Sequence, residues 1–167
     1  MNGSPRIEKL ARSHDVDGFV SGSEPLDRFL VRHALLSQQA NASQTYVAVS
    51  DDRVVGYYTL VFGQVSRDIA PPRIAKGLPR YPVPIMVLAR LAVAGDWQRR
   101  GIGSGMLKDA ILRTLRAAEI AGVRALVVHA KDEAARTFYE RFDFVPSPSD
   151  PLHLFVLIKD LKRILGK

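Results

Sequence analysis

Hydrophobic positions along this chain switch repeatedly between a period of two and a period near 3.6, as strands and helices taken in turn require. Ile7–Leu10 reads as a first short strand. Ser23 can cap a helix whose first turn holds Pro25. Leu26, Phe29, Leu30, His33 and Leu36 then keep helical spacing to about Gln39. Tyr46–Val49 and Val54–Val65 read as strands joined by an Asp51-Asp52-Arg53 turn. Asp68–Pro84 is a proline-rich loop in which Pro71, Pro72, Pro79, Pro82 and Pro84 alternate with Arg73, Lys76 and Arg80. An apolar run, Ile85–Val93, gives a buried strand. Ile102–Ala121 is amphipathic, with Met106, Leu107, Ala110, Ile111, Leu115 and Ala118 on one face, and Gly122 is expected to end it as a left-handed cap. Ala125–Ala130 is a further strand, Asp132 caps a short helix through Phe142, and Leu152–Ile158 is the last strand. Asp160–Lys167 reads as a basic tail. This alternation predicts an α/β (α+β) fold, taken as one domain over residues 1–167.

Composition narrows the class. The 167 residues are 47% hydrophobic, enough for a packed core. No apolar run reaches the roughly 18 residues that span a bilayer, and the first six residues lack a signal-peptide core. A cytoplasmic protein with no membrane association is expected. There is no cysteine, so no disulfide and no thiolate nucleophile. His14, His33, His129 and His153 lack ligand spacing, and no metal is expected. The formal charge is +7. Two readings of that charge stand: a surface that gathers nucleic acid, or a generically basic surface helped by an anionic cofactor.

The segment Gln98-Arg99-Arg100-Gly101-Ile102-Gly103-Ser104-Gly105 lies between the Ile85–Val93 strand and the next helix. A glycine-rich turn there exposes backbone N–H groups beside the positive end of the helix macrodipole, a socket for phosphate or pyrophosphate. A Walker loop would need Gly-Lys-Ser/Thr, which is absent, and a dinucleotide fingerprint an acid at the end of the next strand, about twenty residues on; Ala125–Ala130 carries none.

What remains resembles motif A of the GNAT N-acetyltransferases, Gln/Arg-x-x-Gly-x-Gly/Ala, with Gln98, Gly101 and Gly103 in its places. Ala134–Phe144 resembles that family's Ala-x-x-x-Tyr-x-x-x-Gly-Phe block, with Asp143 where relatives commonly carry glycine. The resemblance implies a GNAT fold: a mixed, twisted sheet flanked by helices and splayed between its fourth and fifth strands, with acetyl-CoA in the gap. It also implies that backbone groups of Leu91, Ala92 and Val93 pair with the pantetheine arm. Gln98 would be the family's polar first position in the cofactor site, and the donors of Arg99, Arg100, Gly101, Ile102, Gly103 and Ser104 would hold the pyrophosphate. Tyr139 falls where the family places the tyrosine that protonates the departing thiolate, a task suited to a phenol protonated at neutral pH; its bland alternative is aromatic packing with Phe138 and Phe142.

Many relatives carry a glutamate base on the fourth strand, but Ile85–Val93 holds no acid, and Arg90 there welcomes an anion. Such a site suits an amine already largely neutral, an α-amine rather than a lysine. The segments Phe19–Gly22, Leu26–Leu30, Ala42–Val47, Gly56–Leu60, Pro82–Ile85, Leu88–Val93 and Val128–Ala130 are similar to the GNAT toxins of bacterial toxin–antitoxin systems. That resemblance implies acetylation of the α-amine of aminoacyl-tRNA, a homodimer, and a ribbon-helix-helix antitoxin as partner. Arg73, Lys76, Arg80 and Arg90 are the first candidates for RNA contact. Two other readings remain: an N-acetyltransferase for a small amine or peptide N-terminus, and a non-catalytic regulator that binds CoA or RNA.

Overall fold

A computed structural model describes residues 4–79 and 81–165; Arg80 and the end of the expected basic tail lie outside the described residues. The strands are β1 Arg6–Lys9, β2 Gln44–Ser50, β3 Arg53–Val65, β4 Val83–Val93, β5 Ala125–His129, β6 Val145–Ser147 and β7 Asp150–Leu157. They form one mixed sheet in the order β1-β2-β3-β4-β5-β7-β6. The helices are α1 Glu24–Arg28, α2 Ala34–Gln39, α3 Pro72–Ala75, α4 Ile102–Ala118, α5 Glu133–Glu140 and α6 Ile158–Leu165. Contacts divide the chain into two compact units, one running through Val61 and including Ala89–Ala110, the other holding Phe62–Leu88 and the chain from Ile111 onward. Among the described residues no helix is long and apolar enough to cross a membrane.

In the first unit β1, β2 and β3 pair antiparallel. The β2–β3 hairpin turns on Asp51 and Asp52, both at positive φ (48° and 63°). That left-handed pair is the geometry that matches strand twist, and aspartate tolerates it better than most side chains. Phe19, Leu30, Val47, Tyr57 and Ala92 centre the core. The helix expected from Ser23 to Gln39 is interrupted: Phe29–His33 winds as a π-helix between α1 and α2. This wide turn carries the Phe29 ring, stacked on Tyr57 at 6.3 Å, under the Arg90 guanidinium at 3.6 Å. Ser23 sits at the N-cap but makes no side-chain bond. The Asp27 carboxylate instead accepts from Ser21 N and Oγ, and Ser23 N donates to Ser21 Oγ.

In the second unit β5 lies between β4, parallel to it, and β7, antiparallel. The β4–β5 register runs from Ile85↔Ala125 to Leu88↔Val128, and β4 continues beyond it through Val93. Gly122 is not a left-handed cap; among the described glycines only Gly22, Gly77 and Gly101 have positive φ. The α4 end is closed instead by short-range bonds, Glu119 N to Arg116 O and Ile120 N to Ala117 O, which meet its orphan carbonyls. The proline-rich loop holds one helical turn, α3, started by Pro72 and anchored by buried Ile74 and Ala75. The expected basic tail is helical too, because Leu161 and Ile164 fall on one face and are buried.

Asp160, 8% exposed, joins these two elements by accepting from Arg73 Nη1 at 2.5 Å. That bond, outweighing burial, holds the Asp160 carboxyl below its ordinary range. A carboxyl whose pKa is lower folded than unfolded stabilises above the unfolded value, near pH 4, and loses the contribution as pH falls through the folded value. Asp160→Asn is therefore expected to lower stability by about 1 kcal/mol at neutral pH, discounted for an exposed partner. In thermal unfolding, the Tm gap from wild type should close in acid.

Candidate active site

The turn expected to bind an anion is built by two left-handed residues. Arg99 has φ 65° and Gly101 φ 81°. On its helix side the first backbone bond is Gly105 N to Gly101 O, at 3.0 Å. No described carbonyl claims the N–H groups from Arg99 through Ser104. Arg99 and Arg100 are exposed, and the Arg100 guanidinium lies 4.7 Å over the half-buried Trp97 ring, which packs on the core below. Asp96, the acid just before the turn, points to Arg53 at 3.0 Å, and that bond holds its carboxyl below the usual range. The turn thus keeps its positive potential. These features fit a pyrophosphate: free donors, nearby guanidinium groups, and an Asp96 carboxylate already paired with Arg53.

Gln98 spends its side-chain amide within the fold. Its Nε2 donates to Ser21 O at 2.8 Å and to Val93 O at 3.0 Å. Both amide hydrogens are consumed, so the side chain has no donor left for a phosphate and instead braces the turn between β4 and the Ser21 loop. At the end of β4, Leu91 and Val93 are half-buried and Ala92 is buried. Ile102 is buried at the start of α4, while Gly103 and Ser104 are half-buried.

Tyr139 is in the second unit, on α5. Asp132 caps that helix by accepting from Ala135 N at 2.9 Å. Asp143 takes φ 70° in the turn that follows, the strained conformation that glycine would adopt more readily. The chain then delivers buried Phe144 against Tyr139, with ring centroids 5.5 Å apart. Phe138 meets it edge-on at 5.1 Å. The packing partners are therefore Phe138 and Phe144, not Phe142. Tyr139 is 6% exposed, and burial pushes its phenol pKa up. No described residue hydrogen-bonds its hydroxyl, which is not enclosed either: among the described residues Gln44 Oε1 is the buried, unpartnered side-chain polar atom. The phenol is protonated at neutral pH and has its proton to give.

The basic candidates separate on inspection. Lys76 is exposed. Arg73 is tied to Asp160, and the Arg90 guanidinium rests on Phe29. Arg80 lies outside the described residues. His129 and His153 stack at 3.9 Å. They are 24 positions apart in sequence and meet only through β5–β7 pairing. Among the described residues no group of three or more His, Asp or Glu could hold a metal.

The chain is similar to several known proteins. Over 99% of both chains the sequence is 43% identical to the tRNA-acetylating toxin of Mycobacterium tuberculosis. A crystal structure of a Tyr-to-Phe mutant of KacT superposes with a TM-score of 0.91 at 28% identity, covering 97% of this chain and 99% of that one. AtaT complexed with acetyl-methionyl-tRNAfMet gives 0.86 at 28% identity over 95% and 98%. A Tyr-to-Phe mutant of AtaT bound to the C-terminus of the antitoxin AtaR and acetyl-CoA gives 0.81 at 25% identity over 97% and 98%. Residues 41–146, containing both the glycine-rich turn and the Tyr139 helix, match the acetyltransferase (GNAT) domain. The chain belongs to the GNAT acetyltransferase family.

Proposed function

We propose that this protein is a toxin that transfers the acetyl group of acetyl-CoA to the α-amine of aminoacyl-tRNA and so blocks translation. The observation that carries the reading is end-to-end similarity to a tRNA-acetylating toxin, joined to a β4 strand without a carboxylate. A site without a strand-borne base suits an amine of low pKa, and an aminoacyl ester has lost the carboxylate charge that would raise it.

The N–H groups from Arg99 to Ser104, with the Arg99 and Arg100 side chains, hold the pyrophosphate, and Gln98 keeps that turn in shape. Backbone groups of Leu91, Ala92 and Val93 extend along the pantetheine arm. Attack of the neutral amine on the thioester carbonyl forms a tetrahedral adduct; as the C–S bond breaks, Tyr139 donates its proton to sulfur. Lys76, Arg73, Arg80 and Arg90 attract RNA phosphates, Arg73 less strongly because Asp160 offsets its charge. The acetyltransferase acts as one domain over residues 1–167, in the cytoplasm and as a homodimer, and a ribbon-helix-helix antitoxin restrains it.

The test is transfer of label from acetyl-CoA to charged tRNA, with deacylated tRNA as control. Label is expected on the aminoacyl group of the charged species only. Raising salt from about 50 to about 200 mM should lower kcat/KM for tRNA by tenfold or more, since phosphate contacts dominate affinity. Transfer confined to small amines or peptides, and indifferent to salt, would favour the general N-acetyltransferase reading. Acetyl-CoA binding without transfer to any amine would leave the non-catalytic one.

A further inference from the structure

In the second unit an open cavity of about 510 Å³ lies among the segment after β3, the end of β5 and the start of β7. Its wall combines apolar Val65 and Ile69 with Ser66, His129, Asp150 and His153. His129 and His153 are direct partners in the β5–β7 register. Their rings stack at 3.9 Å with 15° between planes. Two imidazolium charges at that distance would repel strongly. His129 Nε2 lies 3.7 Å from Asp150 Oδ2.

We propose that this cavity is the acceptor-amine pocket, where Asp150 draws in the substrate ammonium and half-buried His153, its ring held by the stacked ring of His129, takes its proton and releases it to solvent. The inference rests on the acetyl-transfer reading above and supplies the base that β4 lacks. Ser66, whose hydroxyl donates to Asp68, keeps an acceptor for a ribose hydroxyl, and Val65 and Ile69 suit an apolar amino-acid side chain. The ligand class is thus an α-amine flanked by an ester. Burial lowers the His153 pKa, the charge of His129 lowers it further, and Asp150 opposes both. His153 is therefore neutral, and able to accept, at pH 7. The other groups facing it are the Phe155 ring at 4.7 Å and Ser66, which hydrogen-bonds Asp68; Arg67 nearby is spent on Ala75 O.

Protons balance. The ammonium gives one to His153, which releases it to solvent. The free amine attacks, C–N forms and C–S breaks, and Tyr139 protonates the thiolate. The second nitrogen proton then restores the phenol, so the products are amide, CoA thiol and one proton.

The experiment is a pH profile of acetyl transfer for wild type, His153→Gln, His129→Gln and Asp150→Asn. Charged tRNA and an amino-acid methyl ester serve as alternative acceptors. His153→Gln should lower acceptor kcat/KM by about tenfold or more near pH 6.5, and the deficit should shrink towards about pH 9, where the amine is already neutral. Acetyl-CoA affinity should not move, and added imidazole should restore part of the rate. His129→Gln, on an exposed ring that folding does not need, should show the same signature more weakly. Asp150→Asn keeps the bond its Oδ1 accepts from Leu152 N and should raise acceptor KM. A deficit equal at every pH, or none, overturns the pocket. That signature on the ester, with charged tRNA inert, upholds the pocket and overturns the tRNA reading. Transfer to charged tRNA with pH-independent losses does the reverse.

Discussion

Tyr139→Phe is expected to lower kcat by about 10²- to 10³-fold while acetyl-CoA affinity and Tm stay near wild type. The substitution removes one oxygen that no described residue uses, and the ring keeps its contacts with Phe138 and Phe144. Tyr57 provides the contrast. It too is buried with a raised pKa, but its hydroxyl donates to Leu26 O at 2.6 Å. Tyr57→Phe should therefore reduce stability and leave the chemical step alone. Because the Tyr139 pKa lies above that of a thiol, near 8.5, its proton moves only as the C–S bond breaks. The phenol stays protonated throughout the neutral range, so its ionisation should not shape the pH profile there. Single-turnover acetylation beside a cofactor-binding measurement separates the roles. Undiminished turnover in the variant would remove Tyr139 as the acid.

How much of this was legible in the sequence follows from the range over which each feature is determined. The glycine turn, the Asp132 cap and the φ > 0 demand at Asp143 are set within a few residues, and a linear reading reaches them. Strand Ile85–Val93 announces itself by nine positions of which all but Arg90 are apolar. The π-turn at Phe29–His33 does not, because the Tyr57 and Arg90 that pack on Phe29 come from other strands. The C-terminal segment read as a tail because its charges dominate composition; its helical face became visible only once Leu161 and Ile164 had a surface to cover. Gln98 was read by its motif position, but its amide is committed to carbonyls five and seventy-seven residues away. The stacked histidines likewise depend on register, which no spacing rule supplies.

Gly101→Val is expected to weaken acetyl-CoA binding by about 10- to 100-fold with only a small loss of Tm. A Cβ at Gly101 would meet nothing within 4 Å, so the protein has room for a side chain. The difficulty is the backbone: φ is +81°, a region in which a β-branched residue is strained by about 1–3 kcal/mol. The chain can relieve that strain by leaving the left-handed region, which turns the N–H groups of Gly101 and Ile102 away from a common centre. The strain sits in an exposed turn, so relieving it spares the core, and at about 1.4 kcal/mol per tenfold it converts to the stated loss of affinity. Gly56 shows the opposite case: a Cβ there would lie 2.9 Å from Met106 Cε and 3.1 Å from Ala92 O. The same substitution at Gly56 would disturb packing beneath the site and lower Tm. Calorimetric titration of acetyl-CoA with Gly101→Val, paired with thermal unfolding of both variants, separates the two. Wild-type affinity in Gly101→Val would mean that the turn does not hold the pyrophosphate through its backbone.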